Sequence, residues 1–397
     1  MNDKQLEAFE VVKNYENLFL TGSAGTGKSY TIKKIIEYFE RIDRNYGLTA
    51  LTGCAASLIN GNTLHSYLCL GIDKKLNEIY KDILKFKPKY NLLKSLETLI
   101  IDEISMMNNE LIELVDNLLK MIKNNDKTFG GIQVILIGDF HQLPPINGNY
   151  CFTSDVWEKL NLKKVILKEL IRQKEDTELQ EILEEIRTGK LSDKSFEKLN
   201  NLKNTVFTGK IKPTKLYPTN VNVDKINENA FKKLLKKNDN NFKTYEAYSK
   251  YPDKNIRNYD ISLTLNAQIM VIRNINVESH LVNGTRGVVI GLNENSVMIK
   301  DINDRIHTIN YYTDINHMKS NKNNISFMPL KLAYAISIHK SQGSSIDCLE
   351  LDLGDDIFVS GQAYTALSRA TNLKNIKINN LEKNSFFINK KILEFYK

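Results

Sequence analysis

Residues 17–29 read NLFLTGSAGTGKS, an apolar run, then a glycine-rich loop, then the start of an amphipathic segment. The loop GSAGTGKS at 22–29 fits the pattern G-x-x-x-x-G-K-[ST], and the flanking strand and helix candidates supply the context that gives this pattern meaning. Gly22, Gly25 and Gly27 let the backbone curl so that its N–H groups converge on a phosphate. The whole loop, Gly22, Ser23, Ala24, Gly25, Thr26, Gly27, Lys28 and Ser29, is therefore read as a phosphate cradle. The helix N-terminus behind it adds about half a positive charge. Lys28 would reach the β- and γ-phosphates, and Ser29 would ligate Mg²⁺.

Outward from the loop, short apolar runs recur at 47–52, 98–102, 132–137 and 165–167, separated by helical patterns at 28–40 and 108–123. A further helical pattern precedes the loop at 3–14, and another follows at 176–187. Runs apolar on both faces and separated by helices predict an α/β fold with a parallel sheet. The run TLIID ends in Asp102 and Glu103. An acidic pair at that place suits a hydrolytic nucleotide site, with Asp102 holding Mg²⁺ and Glu103 orienting or deprotonating water. The run 132–137 leads into GDFHQLPPI, where Gln142 lies five residues past the strand, within reach of a γ-phosphate. These residues together imply a Mg²⁺-dependent ATPase or GTPase, with the base left open.

The chain has 397 residues, 42% hydrophobic and 26% charged, which excludes collagen-like and wholly disordered classes. Its length suits two or three domains. Aliphatic runs such as 134–137 are far too short to cross a bilayer of about 30 Å. The opening MNDKQLEAFEVVKNY has no targeting character, so a soluble intracellular protein with no membrane partner is expected. Four cysteines without a C-x-x-C pair indicate reduced thiols rather than zinc or disulfides. The net charge of +8 is compatible with nucleic acid but weak alone. Of the 55 basic residues only nine are Arg, so an Arg inside a motif carries extra weight.

A second strand–helix unit is expected at 214–231 and a third at 348–369. Between them 232–324 is rich in Lys, Asn and Asp, with strand-like pieces at 261–272, 286–292 and 296–300 and a turn signal in VNGTRGVV. This reads as a small β domain inserted into a second α/β domain, with 232–258 as an arm or loop. KKLLKK at 232–237 is most simply a solvated helix face.

The motifs, in order, resemble those of superfamily-one, subfamily-B DNA helicases of the petite-integration-frequency type, relatives of RecD and Dda. They are Gln5 before LEAF, GSAGTGKS, LTGCAAS (51–57), TLHSY (63–67), IDEISM (101–106), FGGIQVILIGDFHQLPPI (129–146) and LKELIRQ (167–173). The second half continues with LYPTN (216–220), QIMVIRN (268–274), LVNGTRGVV (281–289), YAISIHKSQGSSID (334–347) and GQAYTALSRA (361–370). The likeness spans nearly the whole chain, and FGGIQ-to-GDF is the specific stretch. It departs at Ile171, where an aromatic is common, and at Cys54, where a small aliphatic is common.

The resemblance implies two RecA-like P-loop domains with parallel sheets plus a small SH3-like β insertion in the second. The boundaries expected are 1–165 with a wedge-like insertion near 55–75, then 166–231 with 325–397, and 232–324 for the insertion. It implies ATP, read by Gln5, with Arg172 and Arg369 reaching the γ-phosphate from the second domain and Gly343 near the phosphates. Thr52, Gly53, His65, Pro144, His339, Lys340, Ser341 and Thr365 would line a single-strand channel. Taken singly these are bland: Arg172 could pair with Glu169 or Glu175, and each histidine could be ordinary packing. The activity implied is 5′-to-3′ movement on single-stranded DNA and unwinding of junctions with a 5′ tail, by a monomer. The alternatives are an ATPase that remodels protein–DNA complexes without separating strands, and a P-loop ATPase unrelated to nucleic acid.

Overall fold

A computed structural model describes residues 1–397 except 72–73, 174–175, 208–211, 250–255, 274, 277–280, 282–283, 302–303, 315–324 and 347, and except the side chains of 57 and 220–222. Glu175 and the Val282–Asn283 part of the turn signal lie outside the described residues. The chain divides into two compact units, the first of 1–193, 358–368 and 384–397, the second of 194–357 and 369–383.

The first unit is built on six strands, β1 (Leu18–Gly22), β2 (Tyr46–Ala50), β3 (Asn62–Thr63), β4 (Thr98–Asp102), β5 (Gln133–Gly138) and β6 (Lys163–Leu167). They pair in the order β3-β2-β4-β5-β1-β6, parallel throughout. β1, β4 and β5 are buried at every position, as their unbroken apolar runs require. Helix α1 (Asp3–Lys13) opens with a capping box between Asn2 and Gln5. Helix α2 (Lys28–Arg41) buries Thr31, Ile32, Ile35 and Phe39, one stripe at helical spacing. That stripe packs with Leu18, Leu20, Ile100, Ile135 and Ile137 in a core where deleting one large side chain costs about 2–5 kcal/mol.

Two helices, Leu76–Lys85 and Lys87–Ser95, follow the region around 55–75 and have no counterpart in the sequence reading. Their apolar anchors, Ile79, Ile83 and Leu93, are few among lysines, and Pro88 interrupts the pattern while occupying the first turn, where it is tolerated. Around 55–75 itself the chain makes short helices at Gly53–Leu58 and Leu64–Tyr67. Helix Asn109–Lys123 carries buried Asp116, whose carboxylate accepts the Phe129 N–H at 2.6 Å and so holds the left-handed FGG turn before β5.

The stretches 358–368 and 384–397 pack with this unit, although chain order alone groups them with the second sheet. Aromatic packing accounts for the last of them. Phe395 lies among Phe19, Phe140, Phe152 and Trp157, with ring centroids 4.4–5.9 Å apart.

In the second unit, strands Ala335–Ser337, Thr214–Tyr217, Leu349–Leu353 and Ile376–Leu381 form a four-stranded parallel sheet in that order. Helix Asn220–Lys237 runs six residues past the expected end, because KKLLKK continues it. Its Asn227 binds the backbone of Tyr334 and Ala335, tying helix to sheet. The β region holds a five-stranded antiparallel sheet ordered Ile306–Asn310, Ser296–Asp301, Arg286–Leu292, Gln268–Val271, Leu330–Leu332. Alternating burial along Ser296–Asp301 places Val297 and Ile299 in a core with Ile269, Val289 and Ile309. Buried Arg286 reaches the carbonyls of Lys212 and Cys348, which lie beside the parallel sheet.

Candidate nucleotide site and nucleic-acid motifs

The carboxyl ends of β1, β4 and β5 converge, which is where open α/β sheets bind ligands. Gly25 and Gly27 both have φ of +89°, a left-handed conformation that only glycine adopts freely. Space forbids a side chain too, since a Cβ at Gly25 would lie 2.6 Å from the Arg172 Cβ and one at Gly27 would lie 2.7 Å from the Gln5 Nε2. Lys28 donates to the carbonyls of Gly22 and Ser23 at 2.8 and 3.0 Å. Burial lowers its pKa, and Asp139, Glu103 and Asp102 pull it back up.

At the end of β4, the Glu103 N–H donates to the Asp102 Oδ1 at 2.8 Å. Burial, then the neighbouring Glu103, push the Asp102 carboxyl up to about 7, while that N–H and Lys28 oppose the rise. Glu103 holds φ of +57°, a strained conformation for a non-glycine residue at the turn that aims the pair. The chemistry of this donor set fits Mg²⁺. A desolvated carboxylate beside a loop hydroxyl at Ser29 suits an ion that keeps most of its waters and takes few protein ligands. No cage of three or more His, Cys, Asp or Glu exists among the described residues.

Gln5 has two uses for its amide. The oxygen accepts the Asn2 N–H at 3.0 Å in the capping box, while Nε2 is buried with no hydrogen-bond partner. A purine acceptor placed there would satisfy it. Gln142 is 3% exposed, and its Oε1 is likewise buried without a partner. Arg172 lies in the first unit, not the second as expected, held at the loop by its own backbone, its N–H donating to the Gly25 carbonyl at 3.1 Å, while Nη1 donates to the Ser368 carbonyl at 3.1 Å. Glu169, a bland partner for it, instead accepts from Asn2.

Several residues that the sequence reading passed over belong to this site. Asp139 is fully buried and accepts from His141 Nδ1 at 3.0 Å, Arg187 Nε at 3.4 Å and the Tyr364 hydroxyl at 3.3 Å. Burial raises its pKa, but Arg187, His141 and Lys28 outweigh that and hold the carboxyl well below the usual range. The Tyr364 hydroxyl also accepts the loop N–H of Ala24, at 3.2 Å. Tyr396 bonds Thr21 at the end of β1 and accepts the Phe140 N–H, at 2.9 and 3.2 Å. A Cβ at Gly361 would meet the Gln142 carbonyl carbon at 2.9 Å, so this stretch seats directly on GDFHQ. Asp139 sits inside a quoted motif and offered a signal, but Arg187 and Tyr396 lie far from any.

The remaining candidates scatter. In the first unit the Thr52 hydroxyl accepts the Ala55 N–H, Gly53 opens a short helix with empty space where a side chain would go, and His65 is exposed. Pro144 is half-buried, and Thr365 is fully buried. In the second unit His339 and Lys340 lie on helix Ile338–Ser341, half-buried and exposed respectively, while the Ser341 hydroxyl is spent on the Ile338 carbonyl at 2.7 Å. Gly343 follows with φ of +80°. Arg369 is 1% exposed, and its Nη1 reaches the carbonyls of Ser341 and Ser344 at 3.4 and 3.3 Å.

A glycine loop at a helix start, a lysine bonded to the loop carbonyls and an acidic pair at a sheet's carboxyl end define a P-loop nucleotide hydrolase site. Comparison with known proteins narrows this. The PIF1-like helicase family matches residues 1–197, and the 2B domain of DNA helicase Pif1 matches 254–292. The ATP-dependent DNA helicase PIF1 of Xenopus laevis is 34% identical over 413 residues, covering 100% of this chain and 64% of that protein. The ATP-dependent DNA helicase Pif1 of Bdellovibrio bacteriovorus is 30% identical over 415 residues, covering 100% of this chain and 92% of that protein. The crystal structure of Bacteroides Pif1 helicase with ADP-AlF3 and single-stranded DNA superposes with a TM-score of 0.72 at 27% identity, covering 100% and 96% of the two chains. The chain belongs to the PIF1-like helicase family, and its two parallel sheets are the two RecA-like halves of that fold. It spans 64% of the length of the first curated relatives it matches. No helix among the described residues is long and apolar enough to cross a membrane.

Proposed function

We propose that this chain is an ATP-dependent DNA helicase that moves 5′ to 3′ on single-stranded DNA and opens duplexes bearing a 5′ tail. The observation that carries the reading is Lys28, half-buried under the glycine loop, with Asp139, Glu103 and Asp102 drawing on its charge. The ammonium donates to the Gly22 and Ser23 carbonyls, and phosphate oxygens, as charged acceptors, would form stronger bonds with it. Mg²⁺, held by Ser29 and Asp102, would neutralise charge between the β- and γ-phosphates. Gln5 reads the adenine with its free amide, Glu103 takes the proton of the attacking water, and Gln142 orients that water through Oε1. Arg172, anchored at the Gly25 carbonyl, and Arg369 reach the γ-phosphate, and Gly343 lies near the phosphates, the roles taken from the family motifs.

For the DNA strand, exposed or half-exposed groups support contact best, namely Thr52, Gly53, His65, Pro144, His339 and Lys340. Ser341 and Thr365 are buried and serve by shaping the backbone around them. Phosphate-directed contacts of this kind are sequence-tolerant and weaken with salt. An SH3-like insertion at 232–324 is part of the same reading, and so is a monomeric state.

The test is strand displacement on 5′-tailed and 3′-tailed duplexes, with ATP and Mg²⁺, side by side. Unwinding of the 5′-tailed substrate alone is expected. DNA-stimulated hydrolysis with neither duplex opened would favour a remodeller of protein–DNA complexes, and hydrolysis indifferent to DNA would sink both readings.

A further inference from the structure

The opposite end of the first sheet holds a second polar cleft. It lies at the amino ends of β2, β4 and β5, about 17 Å along β5 from the nucleotide end at the strand rise. Its volume is about 330 Å³, and Tyr15, Arg44, Glu97, Lys123, Gly131 and Gln133 line it. We propose that this cleft binds a small oxyanion, a carboxylate or a phosphate group, gripped by Arg44 and Lys123.

Arg44 carries the argument. It is 8% exposed, and its guanidinium lies 4.2 Å from the Tyr15 ring centre and 5.2 Å from that of Phe39. Stacking satisfies the flat faces of the group and leaves its edge donors to find acceptors in the plane. Among the described residues none does so for Nε or Nη1, which are buried and unpartnered. A buried charged donor without an acceptor is costly, and a charge-assisted bond to an oxyanion removes that cost.

The surroundings favour an anion. Glu97 is the nearby carboxylate that acts on both cations, but its Oε2 is committed to the Asn45 N–H at 2.9 Å. Lys123 spends two protons on the carbonyls of Lys94 and Leu96, at 2.7 and 2.5 Å, which leaves one of an ammonium's three. Gly130 leaves room for the Lys123 stem, since a Cβ there would lie 2.7 Å from the lysine Cγ. Two cations therefore face a single carboxylate, whose charge offsets only one of them. The volume sits at the low end for small-molecule sites, enough for a group-bearing metabolite or side chain. This inference stands apart from the helicase reading, since no residue of the cleft belongs to the hydrolytic site.

The experiment uses the full chain saturated with Mg-ADP, so that the loop at 22–29 is filled. Inorganic phosphate and succinate are titrated in separate arms at constant ionic strength. The readouts are the Arg44 Nε–Hε resonance and the thermal midpoint. A saturable shift of the resonance and a rise in midpoint are expected with at least one anion, and the stronger arm tells phosphate from carboxylate. Lys123→Met and Arg44→Met should each weaken binding at least about tenfold. If Arg44→Met does not fold, Lys123→Met decides by the midpoint alone. No saturable response to either anion, or a response unchanged in Lys123→Met, overturns the proposal.

Discussion

The two parallel sheets of this molecule end in different chemistry. At the carboxyl end of the first, a half-buried lysine faces three carboxylates beneath a glycine loop. In the second, strand Ala335–Ser337 runs into helix Ile338–Ser341 and then Gly343, and the buried cation there is Arg369, which meets backbone carbonyls. The lysine is a desolvated point charge whose electrostatic balance depends on carboxylates, whereas the guanidinium stays charged wherever it is placed. Shared topology thus leaves function to the residues grafted on it. Removing the cation from each sheet should therefore fail in different ways.

The largest effect is expected at Lys28. Lys28→Ala should lower DNA-stimulated hydrolysis at least about a thousandfold while single-strand binding, followed by fluorescence anisotropy, stays within a few-fold. Near-normal turnover would erase the contrast between the sheets. Arg369→Ala comes next. Its kcat should fall about a thousandfold with the KM for ATP little changed, and steady-state kinetics showing the reverse split would make it a ground-state binding residue. A melting curve run alongside checks that the carbonyls of Ser341 and Ser344 tolerate its loss.

Asp139→Asn sharpens the comparison within the first sheet. Arg187, half-buried, would lose its nearer carboxylate and keep Glu184 at 3.8 Å, a loss of about 1.5–3 kcal/mol, read as a lower urea midpoint at unchanged slope. An unchanged midpoint would mean that solvent, not Asp139, balances Arg187.

The smallest effect comes from a buried lysine elsewhere in the same unit. Lys89 is 2% exposed, lies 4.5 Å from the Tyr67 ring centre, and is brought down by burial to about 8, with Cys69 acting the other way. In the unfolded chain it titrates near 10.4. Between those values the unfolded chain holds more protons, so stability should rise with pH from about 8 towards 10. Lys89→Met should remove that rise and add about 1–2 kcal/mol at pH 7. Urea melts at pH 7 and 9.5 measure both, and a rise kept by the variant would assign the titration elsewhere.

Legibility followed chain distance. Strands β1, β4 and β5 were readable because an apolar run buried on both faces has few other destinies, and the loop at 22–29 because its elements are contiguous. Helices Leu76–Lys85 and Lys87–Ser95 were not, since three buried anchors among lysines give too faint a period. The capping role of Gln5 was present in Asn2-x-x-Gln5 and went unread. Arg172 was placed by motif order, yet its backbone bond to the Gly25 carbonyl has no trace in the sequence.

Local order of residues by itself determined the α/β class, the phosphate loop with Lys28 and Ser29, the acidic pair Asp102–Glu103 and the family. Each depends on neighbours a few bonds apart, whose geometry φ/ψ preferences and hydrophobic period dictate. Only tertiary structure decided that Asp139 would be met by Arg187 and Tyr364, that Tyr396 would bond Thr21, and that Arg44 would lie buried between two rings with its edge unsatisfied. Those contacts join segments up to 375 residues apart, and the free energy that selects them comes from burying and pairing polar groups in the finished core.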